Sequence, residues 1–214
     1  MTTPEFITFT GADDKTNVRS MEALAADYPV EFGILMSPSR VGSPRFPSSD
    51  WIDTVTGRGL RLSAHVCGGY ARTLEVNIPK GGGRDDLDLE GFTRLQLNTT
   101  RSVSPKLFRE WARHRGVRPI LQCRSEFLAD EDVAWLFDRS GGRGVLPDVW
   151  PMPRTAARVG YAGGLGPDTI AAALQHFREP YWIDMESKVR NGDDAFDLGL
   201  CRRVCEIVYD GRKP

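Results

Sequence analysis

Short apolar runs alternate with amphipathic stretches along nearly the whole chain. Phe6–Thr10 (FITFT) has the length and β-branched content of a strand, and Met21, Leu24 and Ala25 recur at helical spacing within a predicted helix over Val18–Tyr28. Glu31–Met36 (EFGILM) reads as the second strand, before a Ser/Pro/Arg-rich loop and a short helix near Asp50–Val55. Leu60–Val66 (LRLSAHV) predicts the third strand, with a helix starting after Gly69. Phe92–Leu97 is the fourth and is followed by a helix over Pro105–Arg115. Arg118–Cys123 is the fifth, and Ser125–Asp132 leaves room for only a short helix. Val133–Phe137 (VAWLF) is the sixth strand and ends at Asp138. Arg158–Tyr161 is the seventh, with a helix predicted over Pro167–Phe177. Tyr181–Met185 is the eighth, and Phe196–Tyr209 the last helix.

Strands that alternate with helices predict parallel pairing through crossovers. Eight such units predict a closed (β/α)8 TIM barrel, since open doubly wound sheets usually have fewer strands. The chain has 214 residues, short for a fold that typically takes ~250, so its helices and loops must be lean. No linker or low-complexity tract divides it, which predicts a single domain over 1–214; Lys80–Asp86 reads as a loop between the third and fourth units.

Composition narrows the function classes. Apolar residues make up 40% and charged residues 27%, as in ordinary soluble globular proteins. A formal net charge of -1 gives no general pull toward nucleic acid or anionic membrane. No apolar run approaches the ~20 residues of a membrane helix, and the opening MTTPEFITFT lacks the basic and apolar regions of a signal peptide. The four cysteines show no CxxC spacing; Cys201 and Cys205 share a helix face. The expectation is a reduced, cytoplasmic monomer or homodimer that needs no cofactor or metal and binds neither nucleic acid nor membrane.

In such a barrel the chemistry sits at the strand ends and the loops after them. Those positions hold Thr10 and Asp13; Ser37, Arg40 and Arg45; His65 and Cys67; and Gln96 and Asn98. The second half adds Gln122, Cys123 and Arg124; Asp138; and Asp184, Glu186 and Lys188. Gly141, Gly142 and Gly144 follow strand six, and Gly163 and Gly164 follow strand seven. Glycine lets backbone N–H groups approach an anion closely. Pro167 suits the first turn of a helix whose N-terminus would also favour phosphate. Two such clusters on adjacent units predict a phosphate site, although either alone could be a turn.

Several segments resemble, in order, those of the phosphoribosylanthranilate isomerase family, the sugar isomerases of the tryptophan pathway. LFDRSGGRG is similar to the family's LLD...GGTG, YAGGLGPDTI to its LAGGL-x-P segment, and YWIDMESKVR to its GVDVSSGVE. The SPRF of Ser43–Phe46 is similar to SPRY, TFTG (Thr8–Gly11) stands where the family has KICG, and LQLN (Leu95–Asn98) where it has VQLHG. The resemblance implies a compact TIM barrel that performs an Amadori rearrangement on a phosphorylated sugar amine. It implies Asp138 as general acid, Arg45 as clamp for the anthranilate carboxylate, and phosphate or substrate contacts from Gly142, Gly144, Gly163, Gly164, Gln96, Asn98, Asp184, Ser187 and Lys188.

The departures are as informative. Thr10 occupies the position of the family's base cysteine, and a hydroxyl is a poor base at neutral pH. Asp13, Cys67 and His65 are the substitutes at neighbouring strand ends. Glu186 would repel a phosphate unless it points away or pairs with Lys188 or Arg143. Three readings follow: an isomerase of a phosphorylated sugar, a barrel that binds a phosphorylated ligand without turnover, and a metal-dependent lyase using His65, Asp138 or Glu126. The third lacks any HxxE or HxH spacing.

Overall fold

The computed structural model describes residues 3–154 and 156–210. Eight parallel strands close into a barrel in chain order, with the last hydrogen-bonded to the first. They are β1 (Ile7–Thr10), β2 (Val30–Met36), β3 (Leu62–Val66), β4 (Arg94–Leu97), β5 (Arg118–Cys123), β6 (Ala134–Phe137), β7 (Val159–Tyr161) and β8 (Tyr181–Met185). Helices α1 (Val18–Asp27), α2 (Ser49–Thr56), α3 (Gly68–Asn77) and α4 (Pro105–His114) follow the first four strands. After β7 comes α5 (Ile170–Ala173), and after β8 comes α6 (Leu198–Tyr209). Among the described residues no helix is long and apolar enough to cross a membrane. Met1 and Thr2, which open the segment read above for a signal peptide, lie outside the described residues.

The helix starts follow from local chemistry. Side chains of Asn17, Ser48, Ser104 and Asp197 accept N–H groups of the first turns of α1, α2, α4 and α6. Pro105 follows Ser104 at a position where its missing N–H costs nothing.

Two predicted helices differ. Residues 125–132 form no helix: Asp130 accepts the N–H of Asp132 at 2.8 Å and its carbonyl takes the Trp135 indole N–H. Such local bonds compete with helical ones. The helix expected from Pro167 starts at Ile170 and runs four residues before a 3-10 turn over Leu174–His176. Thr169 Oγ1 accepts the Gly166 N–H at 3.0 Å and donates to the Gly164 carbonyl at 2.9 Å, so a closed turn occupies the place of the first helical turn. Pro167 therefore starts no helix, and the expected helix N-terminus is absent from the phosphate wall.

The flank over β5 and β6, which no helix follows among the described residues, is covered by rings. Trp150, from the loop after β6, meets Phe137, Tyr161 and Phe177 edge-on at 5.9, 5.8 and 4.9 Å between centroids. Phe127 adds an edge contact to Tyr161 at 5.3 Å. Edge-to-face pairs of this kind stabilise beyond their buried area.

Inside the barrel, alternate residues of each strand point to the axis. Around β5–β8 one layer of them is apolar: Ile120, Leu136, Ala162 and Trp182 pack with Phe6. Around β1–β4 they are polar. At the strand starts Glu31, fully buried, accepts bonds from Thr8 (2.9 Å), Arg94 (2.9 Å) and Arg61 (3.2 Å). The Arg94 guanidinium lies 4.2 Å from the Trp182 ring centroid, so its charge is covered on a face as well as paired. This plug seals the floor and leaves the opposite end for a cavity.

Candidate active site

A cavity of about 840 Å³ opens at the carboxyl ends of the strands. Thr10, His65, Cys67, Gln96, Asn98, Asp138 and Asp184 line it, as do Arg45 and Ser187. Gly142, Gly144, Gly163 and Gly164 complete its β6–β8 side. Lys188 does not line it: the side chain is exposed, and its stem passes where a Cβ on Gly166 would stand, 2.4 Å away. Of the two residues predicted beside Arg124, Gln122 lines the cavity while Cys123 is buried in the outer core.

The glycines bring three loops into contact. A Cβ on Gly144 would lie 2.0 Å from Ser187 Oγ, and one on Gly164 would lie 2.6 Å from the Leu146 nitrogen. Both have positive φ, at 67° each, so other residues are excluded on conformation as well as space. Among the described residues the N–H groups of Gly144, Gly163 and Gly164 donate to no protein acceptor. The N–H groups of Gly141 and Gly142 are spent: Asp138 Oδ1 accepts the first at 3.0 Å and Oδ2 the second at 2.8 Å. The free anion-binding wall is thus Gly144, Gly163 and Gly164, and Gly142 drops out as a donor.

Asp138 also accepts the Ser140 hydroxyl at 2.8 Å. Three donors hold both its oxygens over the glycine turn, yet the residue still faces the cavity.

Arg45 is equally committed. Its backbone is left-handed, φ 72°, in a region that L residues rarely adopt. Its N–H donates to Asp13 at 3.0 Å, and its guanidinium pairs with Glu186 at 2.8 Å and Asp194 at 2.7 Å. Glu186 therefore pairs with Arg45, not with Lys188 or Arg143. Burial raises the Glu186 carboxyl, and the Arg45 bond offsets part of that rise. Asp194 is held from its other side by Arg190, which also donates to the Gly11 carbonyl at 2.9 Å. The Arg190–Asp194 pair was missed in the sequence; its i,i+4 spacing was the available signal. Asp13, spent on Arg45 and the Lys15 N–H, does not line the cavity and is withdrawn as a base. Guanidiniums of Arg40, Arg72 and Arg124 line the rim with no carboxylate partner among the described residues. Arg72 was also missed, since it lies within α3 rather than in a loop.

At the centre, Thr10 Oγ1 donates to Asp184 Oδ1 at 2.8 Å, both buried. Gly33, opposite Thr10 across β1 and β2, makes room for this. A Cβ there would lie 2.3 Å from Thr10 Oγ1 and 2.8 Å from His65 Cε1. His65 is fully enclosed; burial, then the Arg94 charge, pushes its imidazole down to about 3, so it is neutral and weakly basic. Burial likewise raises the Cys67 thiol, which accepts from Asn98 Nδ2 at 3.1 Å. Asn98 in turn accepts from Gln96 Nε2 at 2.8 Å. Burial raises Asp184 most, to about 8, with Glu186, Glu31 and Asp138 adding to the rise and the Thr10 hydroxyl opposing it.

Of the residues considered for a metal site, Glu126 pairs with exposed Arg154 at 2.9 Å. No group of three or more His, Cys, Asp or Glu among the described residues could hold an ion.

No family model and no curated protein matches the chain. Solved structures do. Phosphoribosyl anthranilate isomerase from Thermotoga maritima superposes with a TM-score of 0.63 at 13% identity, over 95% of this chain and 98% of that one. TrpF from Jonesia denitrificans gives 0.62 at 20% identity, over 95% and 96%. 3-Hexulose-6-phosphate synthase from Salmonella typhimurium gives 0.53 at 12% identity, over 96% and 99%. At these identities the likeness is one of fold.

Proposed function

We propose that the protein is a divergent, phosphoribosylanthranilate-isomerase-like enzyme that isomerises a phosphorylated sugar by proton transfer. The observation that carries this reading is the juxtaposition of three uncommitted glycine N–H groups with two carboxyls, Asp138 and Asp184, in one barrel mouth. The N–H groups of Gly144, Gly163 and Gly164 suit a phosphate, and Ser187 adds a hydroxyl beside them. The carboxyls supply the acid and base that ring opening and removal of the proton at sugar C2 require. The order of motifs shared with the isomerase family, and barrels of that name among its structural neighbours, support the same chemistry. On this reading the protein works in the cytoplasm, in amino-acid biosynthesis, as a monomer or homodimer; its four free thiols support a reducing compartment.

The aglycone differs from anthranilate on this reading. Arg45 already faces two carboxylates, whereas Arg40, Arg72 and Arg124 are available at the rim.

Complementation of a tryptophan auxotroph that lacks the isomerase tests the aglycone; no growth at good expression is the expected result, and growth would restore anthranilate as the substrate's aglycone. A second reading is favoured by Thr10 at the base position and by the full set of donors on Asp138: a barrel that binds a phosphorylated ligand without turnover. Thermal shifts with ribose 5-phosphate, without any turnover of phosphorylated sugars, would establish it.

A further inference from the structure

We infer that Asp184, positioned by the Thr10 hydroxyl, is the base that takes the proton from sugar C2. The inference rests on the isomerase reading above and adds to it the group that the sequence lacks.

The assignment follows from what each polar side chain in the mouth is already doing. Asp138 has three donors over its own loop. Glu186 is bonded to Arg45 at 2.8 Å. Asp13 is turned away beneath the Arg45 backbone. His65 is enclosed and weakly basic, and the Cys67 thiol is held protonated by burial. Among the described residues Asp184 alone combines cavity exposure with a single protein hydrogen bond, that from Thr10 at 2.8 Å, so one of its carboxyl oxygens accepts no donor from them. The Thr10 hydroxyl cannot take a proton from carbon. As a donor it fixes the carboxyl rotamer and stabilises its charged form.

The surroundings tune the group for the task. Burial raises it most, and Glu186 just past its own strand, Glu31 from β2 and Asp138 just past β6 face it with negative charge that works in the same direction. Arg94 from β4 and the Thr10 hydroxyl from β1 oppose them, and the neighbouring His65 of β3 is neutral. The result lies about 8, near the range in which a carboxyl both accepts and returns a proton efficiently.

The step balances without an oxidant. After the ring opens to the C1 iminium, the Asp184 carboxylate takes the C2 proton. The C2–H pair becomes the C1=C2 double bond, and the C1=N pair moves onto nitrogen. The carboxyl passes that proton to water, water protonates C1, the O2 proton leaves to water, and a ketose results.

Release of label to water from C2-tritiated phosphoribosylanthranilate and C2-tritiated ribose 5-phosphate tests this, with ribose 5-phosphate binding followed by thermal shift. The wild-type protein should release label from at least one probe, at a rate that rises with pH to a midpoint near 8. Asp184→Asn should lower release by about 10²-fold or more while keeping the thermal shift. Thr10→Val, which removes a bond that favours the carboxylate, should move the midpoint to higher pH; this also serves if Asp184→Asn does not fold. Release by Asp184→Asn at the wild-type rate, or an unmoved midpoint in Thr10→Val, overturns the assignment and leaves the isomerase reading standing. Wild-type protein that binds ribose 5-phosphate but releases label from neither probe overturns both.

Discussion

Arg45 and Glu186 pair at 2.8 Å across the loops after β2 and β8, with Asp194 on the same guanidinium at 2.7 Å. The arginine that would clamp a ligand carboxylate is thus neutralised by the protein. Glu186→Gln removes one competing charge. It should raise affinity for the carboxyphenylamino ketose phosphate, the product of an anthranilate-specific isomerase, by roughly tenfold, about 1.4 kcal/mol. Calorimetry on the two proteins checks this, and an unchanged affinity would mean that the carboxylate binds elsewhere.

Gly33→Ala places a Cβ 2.3 Å from Thr10 Oγ1 and 2.8 Å from His65 Cε1, so both side chains must shift. Overpacking of this kind costs about 1–3 kcal/mol. A fall of that size in urea unfolding, together with weaker binding of ribose 5-phosphate, is the expected pattern.

Asp138→Ala leaves the Gly141 and Gly142 N–H groups and the Ser140 hydroxyl without their acceptor. The loss should be about 1–3 kcal/mol if these groups stay dry. Ligand binding should weaken along with stability, because the loop it holds rests on the glycine wall. Faster hydrogen exchange confined to residues 139–146 would show that the loop, rather than the barrel, has loosened. Asp138→Asn should act in the same direction, since its amide NH2 would face a backbone donor.

Stability should fall between pH 6.5 and 8. The Asp184 carboxyl stands at about 8 in the folded protein against 3.8 in the free side chain, so within that range the native state holds a proton that the unfolded chain lacks. Folding is then penalised as pH rises. His65, at about 3 against 6.5, has the opposite slope, but only below 6.5. Between 3.8 and 6.5 the two oppose each other, and above 6.5 the Asp184 slope remains. Denaturation midpoints across pH 6.5–8 should decline in the wild type and flatten in Asp184→Asn; parallel declines would remove Asp184 as the cause.

The strands were legible because parallel strands buried on both faces read as apolar runs. Arg118–Cys123 and Tyr181–Met185 fall where the pattern put them. The failures at 125–132 and Pro167 share a cause: Asp130 and Thr169 close local bonds that composition does not reveal. Strand ends also gathered most cavity residues, since the topology itself carries them there. What could not be read was pairing. Glu186 and Asp194 are 141 and 149 residues from Arg45, and Asp184 is 174 from Thr10, so no spacing announces these bonds. Lys188 differed for a simpler reason: the backbone turns after Glu186, and its side chain leaves the mouth.

The flank closed by Trp150, Phe127 and Phe177 bears on how this barrel can change. A helix laid across two strands must keep its length and phase, whereas rings meeting edge-on need only remain within reach. The span between Asp138 and Val159 can therefore gain or lose residues without shifting a strand. The same span carries Gly144 and adjoins Gly163, so the side of the molecule most open to insertion also shapes the anion wall. Substrate range can drift there while the Thr10–Asp184 centre stays fixed by the closed sheet.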